Sequence, residues 1–264
     1  GDSELMRVNA RDPGEWVAVS AGLFQVLNKS LQVARMTSGA FDITVGPLVE
    51  VWGFGASMTG DKIPSAERIT ALLQQTGFKK LQLDASSSSV FKSETIRLDL
   101  SAIAKGHGAD RVAGILDRDG YQHYLVEIGG EMRLKGDSPR GGAWKIGIES
   151  PTLMQGKTQK AIAITNKGIA TSGNYRNFFE VDGRRYSHTI DPRTGWPVTH
   201  HLASVTVIAD STAEADALAT AFSVLGVAEA VKVANAYKVA AFFVQREGDA
   251  FVESHSAEFE QYLK

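Results

Sequence analysis

The sequence predicts an α+β fold, with mixed or antiparallel sheets flanked by helices, in a single globular unit that can be divided into two lobes around a cleft. Three observations predict it. Strand-like segments fall in consecutive runs and do not alternate one-for-one with helices, which argues against repeated βαβ units. No linker, internal repeat or low-complexity tract is long enough to cut the 264 residues. The balance of 43% hydrophobic to 22% charged residues is ordinary for a globular chain, and this length buries roughly 75% of the unfolded surface without a covalent staple.

Taken in order, Pro13 opens a long helix through EWVAVSAGLFQVLNKSLQVARMTSG, with proline in the first turn and Gly39 just past the end. Val19, Leu23, Val26, Leu27 and Leu31 supply its apolar stripe. A second helix runs from Ser65 to Gly77, with Ile69, Leu72 and Leu73 inward. Residues 79–84 and 95–100 alternate as strands about the serine-rich turn Ser86 to Ser89. Ile103 to Leu116 reads as a helix although it holds Gly106 and Gly108. Each such glycine costs about 1 kcal/mol against alanine, so another backbone or a ligand is expected to approach closely there. Strands follow at 124–128, 132–135, 144–149, 160–165, 177–181 and 203–208. Ser211 with Glu214 makes a capping box for a helix over 212–225, which Gly226 stops. A helix at 227–236, strands at 238–245 and 250–253 and a short helix at 256–263 finish the chain.

Composition excludes several classes. A net charge of −2 offers no basic field for nucleic acid. With no cysteine there is no disulfide, no thiolate metal site and no cysteine nucleophile. No apolar run approaches the ~20 residues needed to span a bilayer.

Two segments carry chemistry. SHTIDPRTG, from Ser187 to Gly195, puts His188 at the end of an extended run, just before a Pro/Gly turn. AEADALATAF puts Asp216 and Thr220 four residues apart, on one helical face. A carboxylate and a hydroxyl so placed are two hard oxygens suited to Mg²⁺. A histidine can take a proton near neutral pH. Together they suit phosphate chemistry. Plainer readings stand beside them. Thr220 can bond the carbonyl four residues back, with Asp216 favouring the positive start of its helix. His188 can bond Asp191 or the turn, and Asp42 in GAFDITVGP can be a turn cap. Gly129-Gly130 and the TSGNYR loop (Thr171 to Arg176) are tight turns or anion nests, with Arg176 a candidate phosphate clamp. Neither fits a Rossmann or Walker pattern. His107, His123, His200, His201 and His255 have no comparable setting.

Four runs together resemble the ApbE family, the FAD:protein FMN transferases. They are GAFDITVGPLVEVWGFG (39–55), DLSAIAKGHGAD (99–110), TSGNYRNFFEVDGRRYSHTIDPRTG (171–195) and the AEADALATAF helix, in the family's order over nearly the whole chain. The resemblance implies FAD as substrate and Mg²⁺ as cofactor. It implies Asp216, Thr220 and the Ala102 carbonyl as metal ligands, and His188 as the base. It implies Ala40, Phe41, Asp42, Asp99, Lys105 and Ile190 as nucleotide-binding residues, with Lys105 near the pyrophosphate unless it is only a solvated helix lysine. His107 stands where the family usually has tyrosine and is pocket wall at most. The implied reaction moves FMN from FAD onto a threonine or serine hydroxyl of a target protein and releases AMP. Water in place of that hydroxyl would give an FAD pyrophosphatase, and binding without turnover a non-catalytic FAD-binding protein. In the family a D-S-E-L segment like Asp2 to Leu5 follows a leader, a first strand and a first helix. The resemblance therefore implies that these lie outside this sequence, that part of the flavin pocket lies with them, and that the precursor is lipid-anchored on the periplasmic side of a bacterial inner membrane. That leader would be its only tie to a membrane.

Overall fold

The computed structural model describes residues 3–55, 63–149, 158–173, 178–181, 183–248 and 250–263. They fall into two compact units, Gly1–Leu100 with Phe178–Thr199, and Ser101–Asn177 with His200–Lys264. Strands and helices are numbered below in chain order.

The first unit begins with α1 (Glu4–Ala10), capped by Ser3, whose Oγ accepts from the Met6 N–H. β1 (Trp16–Ala18) follows, then α2 (Ala21–Met36), α3 (Gly46–Val51) and α4 (Ala66–Leu73). β2 (Leu81–Asp84) and β3 (Ser89–Lys92) join β1 in a three-stranded antiparallel sheet of order β1-β3-β2. The long helix expected from Pro13 therefore starts at Ala21. Trp16, Val17 and Ala18 pair instead with Phe91, Val90 and Ser89. Ser20 caps the helix, its Oγ accepting from the Leu23 N–H at 3.2 Å. The far end is as expected: Gly39 (φ +83°) lies just past it and donates to the Ala34 carbonyl. The strand expected at 95–100 is not formed. Its alternation is real, since Ile96 and Leu98 are buried. Its backbone bonds go to the Asn9 side chain and the Ile43 carbonyl, and no ladder forms.

Later in the chain, β9 (Phe178–Val181) and β10 (Arg184–Ser187) form a hairpin in this unit. Leu48, Trp52, Ile69, Leu72, Tyr186 and Ile190 make its core. The Trp52 indole N–H donates to the Gly195 carbonyl at 2.8 Å, which ties the turn after His188 to that core.

The second unit opens with α5 (Ala104–Arg118), β4 (Tyr124–Ile128), β5 (Glu131–Lys135), β6 (Trp144–Glu149), β7 (Thr158–Ile164) and β8 (Gly168–Gly173). It continues with β11 (Leu202–Ala209), α6 (Thr212–Ala236), β12 (Ala240–Glu247), β13 (Ala250–His255) and a 3₁₀ turn at Ala257–Tyr262. Six strands form one sheet in the order β13-β12-β11-β8-β5-β4, and β6 and β7 form a separate hairpin. Every pairing is antiparallel, as an α+β fold requires. The central strands are apolar almost without break because both faces of the sheet are covered. Ile208, Phe242 and Val244 pack with the β6–β7 hairpin and Phe259, while Phe243 meets Phe222 of α6. β8 and β10 escape a pattern search: GIATSG and RRYS carry no apolar alternation.

α6 bears out the reading of two helices: Thr212–Ala236 is one element only across a kink at Gly226, whose non-helical φ of 72° and ψ of 166° few residues but glycine adopt, so the first stretch stops there and a second runs on to Ala236. It is long and apolar enough to cross a membrane, contrary to the reading of the sequence. More than half of its most apolar stretch is nevertheless buried inside the protein, as befits a core helix. The kink leaves room for the His200 ring: a Cβ at Gly226 would lie 2.9 Å from its Cδ2. Burial pushes the His200 imidazole below the usual histidine range. A histidine kept neutral by the fold stabilises fully above its unfolded value near 6.5 and less as pH falls through it. Unfolding free energies measured from pH 8 to 5 are therefore expected to fall less in His200→Gln than in the wild type. Equal slopes would show that His200 titrates freely.

Candidate functional site

In the second unit the start of α6 is held from several sides. A Cβ on Gly106 of α5 would lie 2.4 Å from the Thr212 carbonyl oxygen, and one on Gly168 of β8 would lie 2.4 Å from the Thr212 nitrogen. Only glycine permits both approaches, so the close approach expected of Gly106 is that of the α6 backbone. The Asp110 carboxylate accepts from the Thr212 and Ala213 N–H groups at 2.9 Å each, and Ser211 Oγ accepts from the Glu214 N–H. Asp110→Ala is expected to lower stability by about 2 kcal/mol, the loss of a strong helix cap. A denaturant midpoint equal to the wild type would show the cap to be redundant.

One turn into this helix lies Asp216, only 4% exposed. Its Oδ2 accepts from the Gly106 N–H at 3.0 Å. Burial pushes its carboxyl up to about 6, and the Glu131 charge adds to the rise, against the pull of the Gly106 N–H and of Lys105. Thr220, half-buried one turn further, has its Oγ1 3.4 Å from Ser172 Oγ on β8. Ala102 sits in the turn before α5. The helical ladder begins one residue later, with the His107 N–H on the Ile103 carbonyl. Glu131 is 3% exposed and accepts from the Lys105 ammonium through Oε1, and its Oε2 has no hydrogen-bond partner.

These residues fit a hard divalent cation. The donors are carboxylate, hydroxyl and carbonyl oxygens. Two carboxylates are buried here: burial pushes the Asp216 carboxyl up to about 6, and Glu131, beside the Lys105 ammonium, keeps one oxygen unsatisfied. Among the described residues no three His, Cys, Asp or Glu side chains gather for a metal. Asp216, Thr220 and Ala102 bring a single carboxylate, and the shell would be completed by the hydroxyl, the backbone carbonyl and other oxygens.

The first unit holds the remaining residues. Ala40 and Phe41 are buried, and the Phe41 N–H donates to Thr37 Oγ1. Asp42 is buried too. Its Oδ1 accepts from the N–H and hydroxyl of Thr44 at 2.8 and 2.6 Å, and its Oδ2 accepts from the Phe78 N–H at 2.7 Å. Its carboxylate thus braces the 40–44 loop against residue 78, while burial outweighs those bonds and raises its pKa. The Asp99 N–H donates to the Ile43 carbonyl at 2.7 Å, and a Cβ on Gly46 would lie 3.0 Å from the Asp99 Cβ. His188 directly follows β10 and is partly exposed, its ring steeply inclined (71°) to that of Phe54 with centroids 6.2 Å apart. The Asp191 carboxylate is engaged by the Arg193 guanidinium at 2.8 and 2.7 Å. Ile190 is buried and bridges to Pro197. Arg176 and its neighbours 174–177 lie outside the described residues.

Compared with known proteins, residues 1–243 match the model of the ApbE family. The chain belongs to the ApbE family. The FAD:protein FMN transferase of Escherichia coli (strain K12) is 39% identical over 266 residues, covering 99% of this chain and 76% of that protein. The one from Vibrio cholerae is 42% identical over 262 residues, with 99% and 78% covered. The apo crystal structure of Pseudomonas stutzeri flavinyl transferase ApbE superimposes with a TM-score of 0.90 at 41% identity, covering 99% of this chain and 81% of that one. The fold of this ApbE family member is therefore that of the solved flavin transferases.

Two residues in these contacts were not singled out from sequence. Asp110 acts on backbone 102 residues away, and Glu131 meets Lys105 across 26 residues. The Gly-Gly-Glu run marked a turn, and nothing local distinguished its glutamate from a solvated one.

Proposed function

We propose that the protein transfers FMN from FAD to a threonine or serine hydroxyl of a target protein in a Mg²⁺-dependent reaction that releases AMP. The observation that carries this reading is the buried Asp216 carboxylate, one helical turn from Thr220 and bonded to the first turn of α5. Such a carboxylate wants a cation. Similarity to proteins named FAD:protein FMN transferase supports the transfer of FMN from FAD to a protein.

Asp216, Thr220 and the Ala102 carbonyl would hold Mg²⁺. When bound, the ion neutralises pyrophosphate charge and eases departure of the leaving phosphate. The chain's own residues do the rest. Ala40, Phe41, Asp42, Asp99 and Ile190 bind and orient the nucleotide, with the Asp42 side chain shaping its loop. Lys105 meets the pyrophosphate. His188 accepts the proton of the acceptor hydroxyl as its oxygen attacks the FMN phosphorus. A phosphoester bond forms, the P–O bond to AMP breaks, and AMP carries away the bridging oxygen. We extend the reading to location: the periplasmic side of the bacterial inner membrane, with a lipid-anchored precursor.

The test is incubation with FAD, Mg²⁺ and a threonine-containing target peptide, followed by mass spectrometry of peptide and nucleotides. The reading expects FMN on the peptide and an equal amount of AMP. FMN and AMP free in solution, with the peptide unchanged, would make the protein an FAD hydrolase. No nucleotide product would remove the catalytic reading.

A further inference from the structure

Lys105 stands in the first turn of α5 with its side chain 47% exposed. A lysine so placed ordinarily samples many rotamers in water. Here it is held at both ends. Its ammonium donates to Glu131 Oε1, and the Glu131 side chain is only 4% exposed. Its stem runs against Gly129: a Cβ there would lie 3.0 Å from Lys105 Cδ and 3.6 Å from Glu131 Oε2. Gly129 also has φ of +61°, a conformation that side chains disfavour. The turn thus supplies the space in which the lysine stem lies.

Stability does not explain this arrangement. A buried carboxylate is costly unless its oxygens are satisfied, and Glu131 Oε2 is not. An apolar residue at this position would pack without that penalty. What the carboxylate does is fix one lysine in one place. An ammonium has three donors. Glu131 takes one and leaves two for an anion on the exposed side.

We infer that Glu131 is a positioning residue, which together with the space at Gly129 pre-sets the Lys105 ammonium for the pyrophosphate of FAD. The inference rests on the reading of Lys105 given under Proposed function. Pre-setting a flexible cation removes the ordering cost from the binding step, so the effect belongs in FAD affinity and not in the rate at saturation.

A double-mutant cycle tests it, on the full chain with Mg²⁺, using Lys105→Met, Glu131→Gln and the double variant. Flavin-fluorescence titration gives the FAD Kd whether or not transfer occurs, and KM, kcat and melting temperature complete the set. Lys105→Met is expected to weaken FAD binding roughly tenfold to a hundredfold, the worth of a charge-assisted hydrogen bond. Glu131→Gln should raise Kd and KM up to about tenfold with kcat within about twofold, and should add nothing in the Lys105→Met background. Glu131→Asp, which keeps the charge but draws it back, should fall between. The same loss from Glu131→Gln with and without Lys105 would overturn the inference, as would a change in kcat or melting temperature at constant Kd. An unchanged Kd in Lys105→Met would overturn both the lysine's role and the inference. Absence of transfer in the wild type would sink the transferase reading alone, since the Kd cycle still reads the coupling.

Discussion

His188→Ala is expected to lose about 10²–10⁴-fold in FMN transfer while still binding FAD, the usual worth of a positioned base. The geometry makes this a sharp test. His188 follows directly on β10, so the hairpin fixes its backbone, and its ring packs edge-to-face with that of Phe54. The Asp191 carboxylate three residues on is engaged by the Arg193 guanidinium. Since the neutral ring is the form that accepts a proton, the wild-type rate should rise with pH through about 6–7, and the variant should lose that limb. A variant with the wild-type rate would end the assignment. Loss of FAD binding together with a lower melting temperature would make His188 a structural residue.

Asp216→Asn should abolish the response to Mg²⁺. In the wild type, Mg²⁺ at pH 7.5 should raise the melting temperature and support transfer. In the variant it should do neither, with transfer falling at least ~10²-fold, the loss of one strong stabiliser of transition-state charge. Without metal the sign reverses. A carboxyl whose folded pKa of about 6 lies above the ordinary value stabilises at low pH and costs stability as pH rises between the two. Two units correspond to about 3 kcal/mol, so metal-free Asp216→Asn should be more stable than metal-free wild type above pH 6, by about 1–3 kcal/mol. Calorimetry with and without Mg²⁺ reads both effects. An equal Mg²⁺ shift in the two proteins would place the ion elsewhere.

What could be read from sequence was what depends on neighbours in the chain. Asp216 and Thr220 share a helical face because the Ser211 cap and the apolar run after it are local signals, and the helix formed where they placed it. Gly106 announced a close approach because a glycine inside a helix is unfavourable without one. The strands read at 124–128 and 144–149 have those bounds in the structure. What could not be read was decided at a distance. Trp16 to Ala18 continue an apolar pattern that suits a helix, and only pairing with β3 makes them a strand. Residues 95–100 alternate like a strand but find a side chain and a loop carbonyl where a ladder would be. Asp42 could be read as a turn cap, which its bonds to Thr44 are, but its bond to the Phe78 N–H, 36 residues away, could not be read.

The pinch on Thr212 between Gly106 and Gly168 bears on how this region opens. The first peptides of α6 cannot separate from one neighbour without being pressed into the other. Local fraying, the commonest route by which helix ends exchange their amide hydrogens, is therefore closed to them. Amides 212–216 should exchange with deuterium only when the whole second unit unfolds, at rates matching the central strands β8 and β11. The helical turn that carries Asp216 would then belong to the slowest-exchanging part of the protein, and no ligand would be needed to order it.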